Sequence, residues 1–337
     1  MGKLGTTYRG ADLSKHSDLV SFGRAGIKIS QVGLGTAPLG GLFRSVEETT
    51  SDELIKTAIS AGVNFFDTSP FYGHTRAEIR LGRGLALAGA TNTAVVSTKV
   101  GRVFNPGEFS GPTIFQDREP LIPVFDYSPY GIRRSFEESL ERMNLDQIDI
   151  ALIHDPENHM DQAIDEAYPE LEKIKDEGLV KSIGVGINFP DLANRFVKET
   201  NIDVLLIAGR FTLLDQSAGR ELLPNALRRN VSILAAGVFN SGLLVDPNPG
   251  ATFEYEPASS EMIDKARAIH KAIAPYEIPV AAVGLQFPLR HPAVKAILTG
   301  ARDSAELISN LNNFDLELPV EVWQDLEDQA LIQPIVL

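Results

Sequence analysis

An aspartate, a tyrosine, a lysine and a histidine of this 337-residue chain stand at spacings that could carry chemistry. Asp67 directly follows the apolar run Val63–Phe66, and Tyr72 lies a few residues on, in the loop SPFYGH. Lys99 comes after VVST and His154 after IALI. The apolar runs read as strands, so four polar residues of different type end or follow three neighbouring strands. Buried ionisable groups are costly unless paired, so Asp67 and Lys99 are expected to find each other. The set suits interconversion of a carbonyl and an alcohol. A tyrosine hydroxyl titrates at about 10 in isolation, too high for ready proton exchange at neutral pH. A cation such as Lys99 beside Tyr72 stabilises the phenolate, with Asp67 holding the cation and His154 orienting the substrate oxygen or sharing its proton.

Taken singly, each residue has a structural explanation: a helix-capping Asp, a packed Tyr, a solvated Lys, a hydrogen-bonded His. Their coincidence on adjacent strand ends is what points to catalysis. A Schiff-base aldolase with Lys99 as nucleophile remains a rival from another class. A cofactor-bound regulatory subunit without turnover is a third reading.

The elements that must position these residues alternate along the chain. Strands are expected at Val32–Leu34, Val63–Phe66, Ala94–Ser97, Ile148–Ile153, Ile183–Val185, Val204–Ala208, Ser232–Ala236 and Ala296–Leu298. Helical periodicity marks Ser51–Ala61, Ser128–Met143, Asp161–Lys175, Gln216–Arg229 and Glu261–Ala274. Eight strand–helix repeats without a break favour an α/β (β/α)₈ TIM barrel, one domain over residues 1–337. A short hairpin over Phe22–Ile29, with Gly23 and Gly26 at turn positions, precedes the barrel, and an extra amphipathic helix over Val320–Leu331 follows it. Arg102–Phe125 and Val245–Pro257 depart from the repeat and fall on the strand-to-helix side, where barrels place their sites. Phe43, Phe71, Arg102 and Arg210 are candidate pocket residues, with a plain structural role open for each.

Composition excludes several classes. The net charge of −14 argues against nucleic acid or an anionic membrane as partner and leaves a small-molecule substrate. With 0 cysteines there is no thiolate nucleophile, disulfide or cysteine-held metal, which fits a cytoplasmic protein. No apolar run reaches the length of a membrane span. Gly2–Thr6 fits a loose myristoylation template, but no second membrane signal accompanies it. His154 and His159, with Asp155 and Asp161 near, lack the helical spacing of metal motifs, and no metal is expected. His16, His74, His270 and His291 are scattered and read as structural or solvated.

Nucleotide signals are subtler. GLGTAPLGG over Gly33–Gly41 resembles a phosphate loop, yet neither the G-x-G-x-x-G nor the G-K-[ST] pattern occurs there. Gly300, Ala301 and Arg302 follow the eighth strand and lead into a helix starting near Asp303, a combination suited to an anion.

FFDTSPFYG, VSTKVGR, ALIHDPE, SIGVGIN and ILTGARDSAELISNL resemble, in order, the signature segments of the aldo-keto reductases. The resemblance runs from about Phe22 to the C-terminal region. GLGTAPLGGLF, FDYSPYGIRRSFEESL, AGRFTLLDQSA, FNSGLL and LQFPLRHPAV look like the branch that holds the D-threo-aldose (L-fucose) and pyridoxal dehydrogenases. The resemblance implies Tyr72 as general acid/base, tuned by Lys99 and Asp67, with His154 directing the substrate oxygen. It also implies a nicotinamide cofactor. Asn188 matches the carboxamide-binding residue; Gly35 and Thr36 lie near the nicotinamide ribose, Phe239 and Ser241 over the pyrophosphate, and Asn310 by the adenine. Ile187 stands where many members have Ser, and Ala236 and Gly237 where an aromatic ring usually stacks on the nicotinamide. Gly300 and Glu306 occupy positions where NADP-preferring members carry Lys and Arg. A carboxylate there would repel a 2′-phosphate, so NAD is expected over NADP, although Arg302 is near enough to serve a phosphate. The activity implied is oxidation of an aldose hemiacetal at C1 to the lactone, with pyridoxal 4-oxidation or general aldehyde and ketone reduction as alternatives. Oligomeric state is not legible.

Overall fold

The computed structural model describes residues 15–254 and 256–337. Gly2–Thr6 therefore lies outside the described residues. Eight parallel strands close into a barrel in chain order. They are β1 (Val32–Gly35), β2 (Phe65–Asp67), β3 (Val95–Val100), β4 (Ile148–His154), β5 (Val180–Ile187), β6 (Val204–Ala208), β7 (Ser232–Ala236) and β8 (Val294–Gly300). Around them lie α1 (Glu48–Ser60), α2 (Arg76–Leu87), α3 (Pro129–Met143), α4 (Tyr168–Asp176), α5 (Pro190–Glu199), α6 (Leu222–Arg228), α7 (Ser260–Ile273), α8 (Val280–Gln286) and α9 (Ser304–Phe314). The extra C-terminal helix is α10 (Val320–Asp328).

The two-residue period of a strand sorts side chains into two cores. Phe65, Val95, Ile150, Leu152, Val204, Leu206, Leu234, Ala296 and Leu298 fill the barrel interior. Their neighbours Phe66, Val96, Ala151, Ile153 and Leu205 face outward onto the helices. The hairpin Leu19–Phe22 and Ile27–Ser30 plugs the N-terminal end, adding Phe22 and Ile29 to the interior. Its turn uses Gly23 and Gly26 at φ of 67° and 66°, where a side chain is disfavoured.

Several boundaries differ from expectation for local reasons. α1 begins at Glu48, before the expected start at Ser51, which is buried inside the helix with its N–H on Glu47 O. The helix expected over Asp161–Lys175 is interrupted by a π-helical stretch, Ala163–Ala167, just before Pro169, which has no N–H to continue the ladder. Gln216–Arg229 is a short 3₁₀ turn, Ser217–Gly219, followed by α6. The Gly- and Pro-rich segment after β3 forms an antiparallel hairpin, Arg102–Pro106 with Leu121–Phe125. Ser128 caps α3, its Oγ accepting from Gly131 N at 3.1 Å.

Candidate active site

Strand period and register bring the polar set together. On β2, Phe65 points inward, so Asp67 does too; on β3, Val95 inward places Ser97 and Lys99 inward; on β4, Ile150 and Leu152 are followed inward by His154. Register sets Asp67 opposite Ser97, Lys99 opposite Leu152 and His154 opposite Gly186. Asp67 is the last residue of its strand, and Lys99 lies within β3, which continues to Val100. The result is a polar layer over an apolar plug at the C-terminal rim.

Lys99 Nζ lies 2.6 Å from Asp67 Oδ1 and 2.8 Å from Thr68 O, both bonds buried. The Tyr72 hydroxyl is a further hydrogen-bond partner of this ammonium, whose nitrogen lies 5.0 Å from the ring centre. Burial works against the charge on Lys99, but Asp67 and then Tyr72 outweigh it and hold the ammonium above the ordinary lysine range. The His154 ring meets the Tyr72 ring edge-on, with centroids 6.2 Å apart. Burial first, then the charges of Arg102 and Lys99, push His154 well below the usual histidine range, so it is neutral near pH 7.

Its tautomer follows from its neighbours. Ser69 Oγ accepts the Phe71 N–H at 3.1 Å and lies 3.1 Å from His154 Nδ1, leaving its own proton for that nitrogen. The imidazole proton then sits on Nε2, beside the Asp155 carboxylate at 3.4 Å. The arrangement offers a donor at Nε2 and a hydroxyl held by an ammonium, both suited to one substrate oxygen. Sequence reasoning passed over Ser69 and weighed Asp155 only as a metal ligand. Their positions, in DTSPFYG and directly after His154, were the available signals.

The residues expected at a dinucleotide lie on the rim of β1, β5, β7 and β8. Gly35 ends β1, and buried Thr36 follows with its N–H on Asp67 O at 2.9 Å. Asn188 directly follows β5, exposed, its backbone carbonyl held by Arg210 Nε at 2.8 Å. Beyond β7, Gly237 takes a φ of 63°, and the strand end carries no aromatic ring. Phe239 is half-buried against the core and Ser241 lies in the following turn at a φ of 58°. Gly300 ends β8; Asp303 caps α9 through Glu306 N at 2.9 Å, and Arg302 N and Nε each lie 3.0 Å from the Glu306 carboxylate. Asn310 is buried, with Nδ2 on Thr299 Oγ1 at 3.0 Å, where it braces the end of β8. A dinucleotide needs N–H groups for phosphate, an amide for the carboxamide and close backbone approach. Asn188, Arg302 at the start of α9, and the glycines at 35 and 300 are of the types that could supply these. The residues fit the group.

Phe71 and Arg102 do stand around the site, and Phe43 is exposed with its N–H on Ile114 O. Arg210 instead braces a loop, contacting Asp215 and Glu254 as well as Asn188. Among the described residues no group of three or more His, Asp or Glu could hold a metal ion, and no helix is long and apolar enough to cross a membrane.

Fold and site together define a barrel oxidoreductase acting on alcohol and carbonyl groups, of the kind that uses a nicotinamide cofactor. The chain belongs to the aldo/keto reductase family, whose model matches residues 31–330. It is 37% identical over 317 residues to D-threo-aldose 1-dehydrogenase of a Pseudomonas species, covering 91% of this chain and 96% of that one. It is 36% identical over 341 residues to pyridoxal 4-dehydrogenase of Microbacterium luteolum, covering 94% and 99%. A solved glycerol dehydrogenase of Gluconobacter oxydans superposes with a TM-score of 0.75 at 25% identity, over 95% of this chain and 99% of that one.

Proposed function

We propose that the protein oxidises an aldose hemiacetal at C1 to the lactone, with NAD as hydride acceptor. The observation that carries the chemistry is the buried Lys99, 2.6 Å from Asp67 and hydrogen-bonded to the Tyr72 hydroxyl. The aldose is supported by the likeness to D-threo-aldose 1-dehydrogenase.

A nicotinamide held by Asn188 and the rim of β1 and β8 would supply the acceptor for the hydride of C1. Tyr72, its phenolate stabilised by the ammonium of Lys99, takes the proton of the anomeric hydroxyl and becomes neutral. Asp67 keeps Lys99 charged in an apolar surrounding. His154, neutral with its proton on Nε2, donates to the same substrate oxygen and fixes its direction. C1–H and O–H are lost, the C1=O of the lactone forms, and no oxidant beyond the nicotinamide is needed.

Tyr72→Phe is expected to lower kcat by about 10³-fold or more while NADH still binds, read as unchanged fluorescence titration. Full turnover in that variant would remove Tyr72 from the mechanism. Pyridoxal 4-oxidation is a second reading, favoured by the likeness to the Microbacterium enzyme. Steady-state rates on L-fucose, other aldoses and pyridoxal separate the two.

A further inference from the structure

Asp155 takes no part in the steps above, yet it is built into the same rim. It follows His154 with a φ of 45°, an uncommon backbone for any residue with a side chain. Its N–H donates to Gly186 O at 3.0 Å. The buried Tyr127 hydroxyl lies 2.6 Å from His154 O and 2.9 Å from Asp155 O. The bend turns the carboxylate back toward the imidazole. Oδ2 ends 3.4 Å from His154 Nε2 and 2.7 Å from Arg102 Nη2.

Arg102 is fixed in turn. Its guanidinium lies 3.9 Å from the centre of the Phe71 ring and 4.6 Å from that of Phe125. The guanidinium side chain is 8% exposed and the carboxylate 28%. A substrate oxygen held by Nε2 therefore has a carboxylate and a guanidinium about one hydrogen-bond length farther along the rim. A hydroxyl is both donor and acceptor, and this pair offers it one of each. A methylene at the same place satisfies neither and leaves desolvated polar groups behind.

We propose that Asp155, held by Arg102, is a specificity-determining residue that binds the hydroxyl on the carbon next to C1, so that the site selects 2-hydroxy aldoses over 2-deoxy aldoses. The assignment rests on the aldose reading given above. The test compares kcat/KM for L-fucose and 2-deoxy-L-fucose in the wild-type enzyme and in Asp155→Asn. Asn tolerates the left-handed backbone, keeps the shape and loses the charge. The wild-type enzyme is expected to prefer L-fucose by about 10²-fold or more, a margin set by groups left unpaired, and Asp155→Asn to narrow that preference to under about tenfold. Should circular dichroism show Asp155→Asn unfolded, Arg102→Gln carries the same expectation. Equal wild-type rates on both sugars, or an undiminished preference in the variants, overturns the role of Asp155 alone. A wild-type enzyme that oxidises no aldose overturns the aldose reading and this assignment with it.

Discussion

Arg302 and Glu306 face each other across the first turn of α9, the guanidinium nitrogen Nε 3.0 Å from the carboxylate. A 2′-phosphate on the adenosine ribose would have to compete with Glu306 for Arg302, whereas a 2′-hydroxyl can donate to the carboxylate with the pair intact. The proposed preference for NAD therefore hangs on this pair more than on Gly300. Glu306→Lys is expected to shift the ratio of kcat/KM values toward NADP by at least about tenfold, since it removes the repulsion and frees Arg302. An unchanged ratio would place cofactor choice elsewhere. At this scale the sequence was legible in residue type: Asp67, Lys99 and His154 each stand out as a polar residue closing a strand-like run, and Tyr72 as a tyrosine in the loop after one of them. It was not legible in partnership. That Glu306 is tied to Arg302, and that Ser69 sets the His154 tautomer, depends on side-chain directions that spacing does not contain.

The loops that wall the site are held by helices through one buried guanidinium. Arg80 on α2 reaches Leu39 O at 2.5 Å, Val46 O at 2.7 Å, Asp117 at 3.1 Å and Glu48 at 2.8 Å. It thereby joins the loop after β1 to the tip of the Arg102–Phe125 segment. Its position depends on how closely α2 approaches α3. At Gly82 a Cβ would fall 2.4 Å from the Met143 carbonyl oxygen, and backbone cannot yield as a side chain would. Gly82→Ala is expected to destabilise the protein by about 1–3 kcal/mol despite the better helix propensity of alanine. Urea unfolding measures it, and an equally or more stable variant would show that the two helices can part without cost. Periodicity revealed α3 and α7 almost to the residue because their apolar stripes are regular. The hairpin after β3 was missed because Pro106 and Pro123 mask its strands, and its pairing joins residues far apart in the chain.

Three histidines, His74, His154 and His291, are buried in the closed structure, and burial holds each below its ordinary range. Each binds a proton more readily in the unfolded chain, where the reference value is 6.5. Their stabilising contribution is thus present above about pH 6.5 and is lost as pH falls below it, by up to about 1.4 kcal/mol per pH unit for each group. Unfolding free energy measured by urea titration at pH 7.5 and 5.5 should fall accordingly, and His291→Gln should lessen the fall. A pH-independent unfolding free energy over that interval would contradict the burial of these rings.

By itself the sequence determined the repeat of strand and helix, the apolar alternation that forces Asp67, Lys99 and His154 to one face, and the acidic, cysteine-free composition. These follow from local periodicity and side-chain chemistry, which a linear string carries in full. Only the tertiary structure decided what each of those groups touches: the ammonium on Tyr72, the carboxylate of Asp155 turned back on the imidazole, the guanidinium lodged by two rings. The first and last of these join residues more than twenty positions apart, and the second depends on the backbone bend at Asp155; barrel closure and such bends set their geometry, where a few ångströms separate a contact from none.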